Sequence, residues 1–261
     1  MDFRSLLGVG QRRSAQPRIP STASSPSSSI LATPSARAPS SASGAPAIAG
    51  LHYQRKEWFS EILPALRGWG QNVLFLGQSN MGKSFFLKKL LDQVRPEHLV
   101  VISNTSAEQY RREGMKSFKH YSTMPDSIEE MEVQPHSYVI IDDIRVMGLK
   151  HGNQRECLYK FFTMYSHHYK LNVFFLSQSF DNIKDMKINA NFLYLFRFTD
   201  KSNIKRYLST LFGGQCPKSS LIFRLYEKLL AACQRPILTI NCSRNEYYTY
   251  CNDNTFQVTF E

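Results

Sequence analysis

Val73-Leu74-Phe75-Leu76-Gly77-Gln78-Ser79-Asn80-Met81-Gly82-Lys83-Ser84-Phe85-Phe86-Leu87-Lys88-Lys89-Leu90-Leu91 decides the fold of this chain. The four apolar residues at its start read as a buried parallel strand, and the stretch after Ser84 has the apolar spacing of a helix. Between them, Gly77, Gln78, Ser79, Asn80, Met81, Gly82, Lys83 and Ser84 fit G-x-x-x-x-G-K-[ST] at every fixed position. Small residues at Gly77 and Gly82 let successive backbone N–H groups curl around a polyphosphate. Lys83 then supplies a point charge to the β and γ phosphates, and the Ser84 hydroxyl joins an Mg²⁺ shell. The plainer reading is a glycine turn followed by a chance Gly-Lys-Ser. A strand before it and a helix after it argue against that, so ATP and Mg²⁺ are the expected ligands.

Further along, Tyr138-Val139-Ile140-Ile141-Asp142-Asp143 is an apolar strand ending in two carboxylates. Alone, such an ending more often caps a turn. Its place after the loop, with one strand between, makes Asp142 a candidate Mg²⁺ ligand beside Ser84 and Asp143 a candidate base for an attacking water. Val173-Phe174-Phe175-Leu176-Ser177 ends at Gln178. Third in this series, Gln178 reads as a sensor of the γ-phosphate and its water rather than as the start of a polar loop.

The rest of the chain alternates strand-like runs (Asn72–Leu76, Leu99–Ser103, Ser137–Ile141, Asn172–Leu176, Phe192–Phe198) with helical patterns (Lys83–Val94, Arg155–Tyr169, Ser202–Phe212, Leu221–Cys233). This is the signature of an α/β fold, a mostly parallel sheet flanked by helices. A sensor strand between the loop strand and the Asp142 strand would make it a P-loop NTPase of the ASCE type, the additional-strand class. Ile237–Ile240, Tyr247–Tyr250 and Phe256–Phe260 alternate like antiparallel strands added at an edge. Residues 1–49 are rich in Ser, Pro, Ala and Arg and are expected to be a disordered tail, carrying Arg4, Arg12, Arg13, Arg18 and Arg37; residues 50–261 are expected to be the ATPase domain.

Of 261 residues 42% are hydrophobic, enough for a core, and the net charge of +11 suits a polyanionic partner. Five cysteines without a C-x-x-C pair argue against a disulfide framework; Cys242 and Cys251 are expected as a reduced, buried pair on a hairpin. With no apolar run near the roughly twenty residues that span a bilayer, no membrane partner is expected. From the cysteine usage an intracellular setting is expected, and the basic tail suits nuclear import.

Together with the loop and Ile140-Ile141-Asp142-Asp143, the segments Tyr165-Ser166-His167-His168-Tyr169-Lys170-Leu171-Asn172-Val173 and Phe175-Leu176-Ser177-Gln178-Ser179-Phe180 resemble genome-packaging ATPases of the FtsK–HerA superfamily. The likeness is greatest to those of Polinton/Maverick elements and adintoviruses, and it covers about Trp69 to Phe212. The resemblance implies an ATP-driven double-stranded DNA translocase that fills a viral or transposon capsid, working as a pentameric or hexameric ring docked on a capsid or portal protein. It also implies an arginine supplied in trans, with Arg145, Arg155, Arg197 and Arg206 as candidates and Arg155 preferred. Lys150, Lys184 and Lys187 would face DNA. The chain departs from the family pattern at Asn80 and Met81, where related loops carry smaller residues. His167-His168 reads as a helix end that fixes the approach to the sensor strand, not as a zinc pair. The rival readings are a nucleoside or nucleotide kinase, a helicase, and a protein that binds ATP only as an assembly switch.

Overall fold

The computed structural model describes residues 48, 51–144, 149, 152–180, 186, 189–198, 200–211 and 217–260. Arg145, Lys150, Lys184, Lys187 and the tail arginines lie outside the described residues. Ile48, assigned to the tail, is buried, and its carbonyl accepts the Leu51 N–H at 3.2 Å.

Ten strands form one sheet: β1 Leu51–Lys56, β2 Asn72–Leu76, β3 His98–Ser103, β4 Ser117–Tyr121, β5 Tyr138–Asp142, β6 Asn172–Ser177, β7 Phe192–Leu195, β8 Ile237–Asn241, β9 Glu246–Cys251 and β10 Asn254–Phe260. Their spatial order is β1-β10-β9-β8-β7-β2-β6-β5-β3-β4. From β7 to β4 every pairing is parallel, and from β7 back through β8, β9 and β10 to β1 every pairing is antiparallel. The α/β class and the antiparallel edge expected from the sequence are both present. β1 and β4 were not anticipated. Both lie at the sheet's ends and are half-exposed, so neither carries the continuous apolar run that marks a strand covered on both faces.

The inner strands do carry that run, and their alternation splits the core in two. Leu74, Leu76, Ile102, Val139, Ile141, Val173 and Phe175 face one apolar cluster. Val73, Phe75, Val101, Ile140, Phe174 and Leu176 face the other. The helices are α1 Leu63–Gly68, α2 Lys83–Val94, α3 Gly152–Lys160, α4 Ser166–His168, α5 Lys201–Leu211 and α6 Pro217–Ala232. α2 runs as the sequence reading places it. The single helix expected over 155–169 is instead α3, a π-helical segment Phe161–Tyr165, and α4. The Asn72 side chain donates to Phe162 O at 2.9 Å and Asn189 O at 3.0 Å, tying that segment to β2. Beyond it His167 and His168 are exposed, and the turn into β6 is closed by main-chain bonds such as Leu171 N–H to Ser166 O at 2.9 Å. Asn172 secures the start of β6 by donating to Leu66 O at 2.9 Å and accepting from Gln71 N–H.

One expectation about the cysteines is corrected. Cys251 is bonded to Cys233, with Cα atoms 5.4 Å apart, and Cys242 is a free thiol. The β8–β9 register explains this. Ile237 pairs with Tyr250 at one end of the hairpin and Asn241 with Glu246 at the other, so Cys242 and Cys251 sit at opposite ends. Cys233, just past α6, lies over Cys251 instead. Among the described residues no helix is long and apolar enough to cross a membrane.

Glu61 is a buried carboxylate that accepts from Tyr194 Oη at 2.9 Å and from the Tyr250 hydroxyl, joining the segment before α1 to β7 and β9. Burial raises its pKa above the usual carboxylate value, while the two tyrosine hydroxyls pull the other way. A raised value means that the folded state holds the proton more tightly. The Glu61 contribution is therefore full below the ordinary carboxylate range and is lost as pH rises through the folded-state value. Glu61→Gln cannot titrate, so wild-type stability relative to this variant should fall as pH rises from about 4 to about 8. Urea melts of both proteins across that range measure it; a pH-independent difference contradicts it.

Candidate functional site

Parallel pairing of β2 with β6, and of β6 with β5, sets three strand ends side by side. Gly77 follows β2, Gln178 follows β6, and β5 ends at Asp142 with Asp143 beyond it. The loop, Asp142, Asp143 and Gln178 thus lie together at the carboxyl ends of three inner strands, by the N-terminus of α2.

The loop is held from both neighbouring strands. Gly77 N–H donates to Ser177 O at 3.1 Å, and Gln78 N–H donates to Arg197 O at 3.2 Å. The second bond explains why β7 ends at Leu195, short of the expected Phe198. Phe196 N–H still bonds Leu76 O at 2.7 Å, after which Arg197 turns its carbonyl to the loop. A Cβ on Gly77 would meet Phe196 Cβ at 2.5 Å, so only glycine fits. Gly82 has φ 92° and Asn80 φ 61°, left-handed conformations that glycine and asparagine adopt at least cost. Met81 is half-buried and packs on the second apolar cluster.

Lys83 is buried, and its Nζ donates to the carbonyls of Gly77 at 2.6 Å and Gln78 at 2.9 Å, folding the cation back beneath the loop. Burial lowers its pKa, opposed by the charges of Asp142 and Asp143. Burial raises that of Asp142, opposed first by a hydrogen bond from Tyr110. That bond, Tyr110 Oη to Asp142 Oδ2, is 2.6 Å long and buried, and the same hydroxyl interacts with Ser84. Tyr110 therefore joins the two residues selected as metal ligands. The sequence carries no sign of it. Tyr110 arrives from a short 3-10 turn, Glu108–Tyr110, beyond β3, and reaches Asp142 because β3 pairs with β5. A hydroxyl and a carboxylate that share the Tyr110 hydroxyl as partner are hard donors of the kind Mg²⁺ takes together with waters, so Ser84 and Asp142 fit that ion.

Asp143 is also left-handed, φ 57°, which turns its side chain out of β5's direction. Its Oδ1 accepts from Gln178 Nε2 at 2.9 Å, and Gln178 Oε1 accepts from Ser79 Oγ at 2.8 Å. Asn104 Nδ2 steadies the Asp143 carbonyl at 3.3 Å. The amide thus links the loop to the second carboxylate. Of the candidate arginines, Arg197 donates to Leu230 O and Cys233 O at 3.0 Å each, at the end of α6; Arg155 and Arg206 are exposed on α3 and α5.

No family model matches the chain, and no curated protein matches it. Among solved structures, the genome-packaging NTPase B204 of Sulfolobus turreted icosahedral virus 2, in complex with sulfate, is 14% identical with a TM-score of 0.48, covering 69% of this chain and 95% of that one. EssC (ATPases 2 and 3) of Geobacillus thermodenitrificans is 10% identical at 0.42, covering 73% and 40%. The N-terminal domain of zonular occludens toxin of Neisseria meningitidis is 13% identical at 0.30, covering 49% and 78%. At these values the likenesses carry none of the functional reading, which rests on the site's own geometry.

Gly77→Ala should cost about 1–3 kcal/mol of stability through the clash with Phe196. Chemical denaturation measures this, and an unchanged midpoint would contradict the close approach.

Proposed function

We propose that this chain is a Mg²⁺-dependent ATPase of the ASCE type that translocates double-stranded DNA and packages a viral or transposon genome, of Polinton/Maverick or adintovirus kind, into a capsid. The observation that carries the ATPase reading is the Ser79–Gln178–Asp143 chain, in which the strand between β2 and β5 connects the loop to a second carboxylate. In this reading the loop amides and Lys83 bind the triphosphate, Lys83 exchanging the Gly77 and Gln78 carbonyls for phosphate oxygens. Ser84, and Asp142 through water, would hold Mg²⁺, which would supply charge neutralisation at the phosphates.

Asp143 accepts a proton from water as the water oxygen bonds to the γ-phosphorus. The bond from that phosphorus to the β–γ bridging oxygen breaks, giving ADP and phosphate. Gln178 orients the water and, through Ser79, reports the γ-phosphate to the loop. An arginine from a neighbouring subunit completes the site. Arg155 is the better candidate than Arg197, whose guanidinium is committed to α6. The second carboxylate favours hydrolysis over transfer to an acceptor hydroxyl.

The DNA and capsid partners and the ring rest on the sequence resemblance and the +11 charge. Sequence-independent contact with the phosphate backbone suits a motor that passes any sequence.

Lys83→Ala should abolish nucleotide binding. Asp143→Asn should keep binding while phosphate release falls about a hundredfold or more. Phosphate release by wild type should rise with duplex DNA of arbitrary sequence, and the rise should fade with salt. Phosphoryl transfer to a nucleoside in place of phosphate release would return the kinase reading; a rate indifferent to DNA and to protein concentration would remove the ring motor.

A further inference from the structure

Beside the loop lies a cavity of about 470 Å³ whose lining does not include Gln178 and which the roles above leave unused. Its lining includes Trp58, Met81, Gly82, Phe85, Arg235 and Asn252. Met81 and Gly82 belong to the loop and Phe85 to the first turn of α2, so cavity and loop share a wall. Phe85 is 49% exposed, an unusual place for phenylalanine at the mouth of a polar site.

Trp58 is held in position. Its Nε1 donates to Asp253 O at 2.9 Å, and its ring meets those of Phe59 and Tyr250 edge-on at 5.5 Å. Lys89 Nζ lies 4.4 Å from the Trp58 ring centre and 5.1 Å from that of Phe85, and the Arg235 guanidinium lies 5.7 Å from Phe85. The β9–β10 turn at Asn252 and Asp253, with φ 46° and 66°, adds an amide and a carboxylate to the lining. The Cys233–Cys251 bond fastens that turn's strand to the segment carrying Arg235, so the two outer walls are joined.

We propose that this cavity is the nucleobase subsite and that it takes adenine, stacked on Phe85 and Trp58 with its edge toward Asn252. The proposal rests on the reading of the loop as the triphosphate site. Because Met81 and Gly82 line the cavity, a ligand with its phosphates on the loop amides would have its nucleoside end beside it. Flat aromatic faces and neighbouring cations suit an electron-rich ring with a phosphate tail. A carboxamide is the side chain that pairs with the amino and N7 edge of adenine, which selects adenine over guanine. Met81, in the same lining, supplies a polarizable apolar contact to the same ring.

The test uses Trp69→Phe as background, which leaves Trp58 as the sole tryptophan of the two in the chain. MgATP should change Trp58 emission, and magnesium tripolyphosphate should bind with no such change. Phe85→Ala, at an exposed position that does not threaten folding, should weaken ATP about tenfold and leave tripolyphosphate within twofold. Asn252→Ala should narrow the preference for ATP over GTP. Equal affinity of wild type for ATP and tripolyphosphate, or unchanged ATP affinity in Phe85→Ala, would overturn the subsite. Lys83→Ala separates the two readings. Loss of both ligands there with no loss in Phe85→Ala removes the subsite alone, whereas undiminished binding in Lys83→Ala removes the phosphate site and the subsite with it.

Discussion

The insertion of β6 between β2 and β5 is the constraint on which the site depends. Parallel strands put all their carboxyl ends on one edge, and the register Leu76–Ser177 and Asp142–Leu176 aligns three of those ends within a residue. A side chain just past β6 is then within hydrogen-bonding reach of groups just past both neighbours. Gln178 uses that position, touching Ser79 on one side and Asp143 on the other. Were β6 at the sheet's edge, no amide would stand between the loop and the carboxylates. The chemistry proposed for the site needs that placement as much as it needs the motif residues themselves.

Packing holds the arrangement in place from below. β2, β5 and β6 are buried along their whole length, and Phe75, Phe174 and Tyr138 stack across three adjacent strands at centroid distances of 6.1 Å. The approach of Phe196 to Gly77 leaves no room for slippage where the loop begins. A polar site on so apolar a support works in a low local dielectric. That is why burial pushes Lys83 and Asp142 toward their neutral forms while their mutual attraction opposes it.

Much of this was legible in the chain because continuous apolar runs mark doubly covered strands and the loop motif fixes its own neighbours. Asn72–Leu76 and Lys83–Val94 have the bounds read from the sequence. Half-exposed strands such as Ser117–Tyr121 escaped because their pattern is set by position at the sheet's end, not by burial. Tyr110 escaped for a different reason. Its bond to Asp142 is a product of β3–β5 pairing, and nothing local distinguishes it from any other tyrosine in a loop. The cysteine pairing was misjudged because hairpin register, which separates Cys242 from Cys251, cannot be counted without the turn's position.

A structure of the protein bound to Mg²⁺ and a non-hydrolysable ATP analogue tests the central claim most directly. The account predicts the β and γ phosphates inside the loop, with Lys83 Nζ moved from the Gly77 and Gln78 carbonyls onto phosphate oxygens. Mg²⁺ should lie against Ser84 Oγ on the side of Asp142, with Gln178 and Asp143 facing the γ-phosphate. Phosphates bound elsewhere, or a Lys83 still bonded to its own loop with the analogue present, would contradict it.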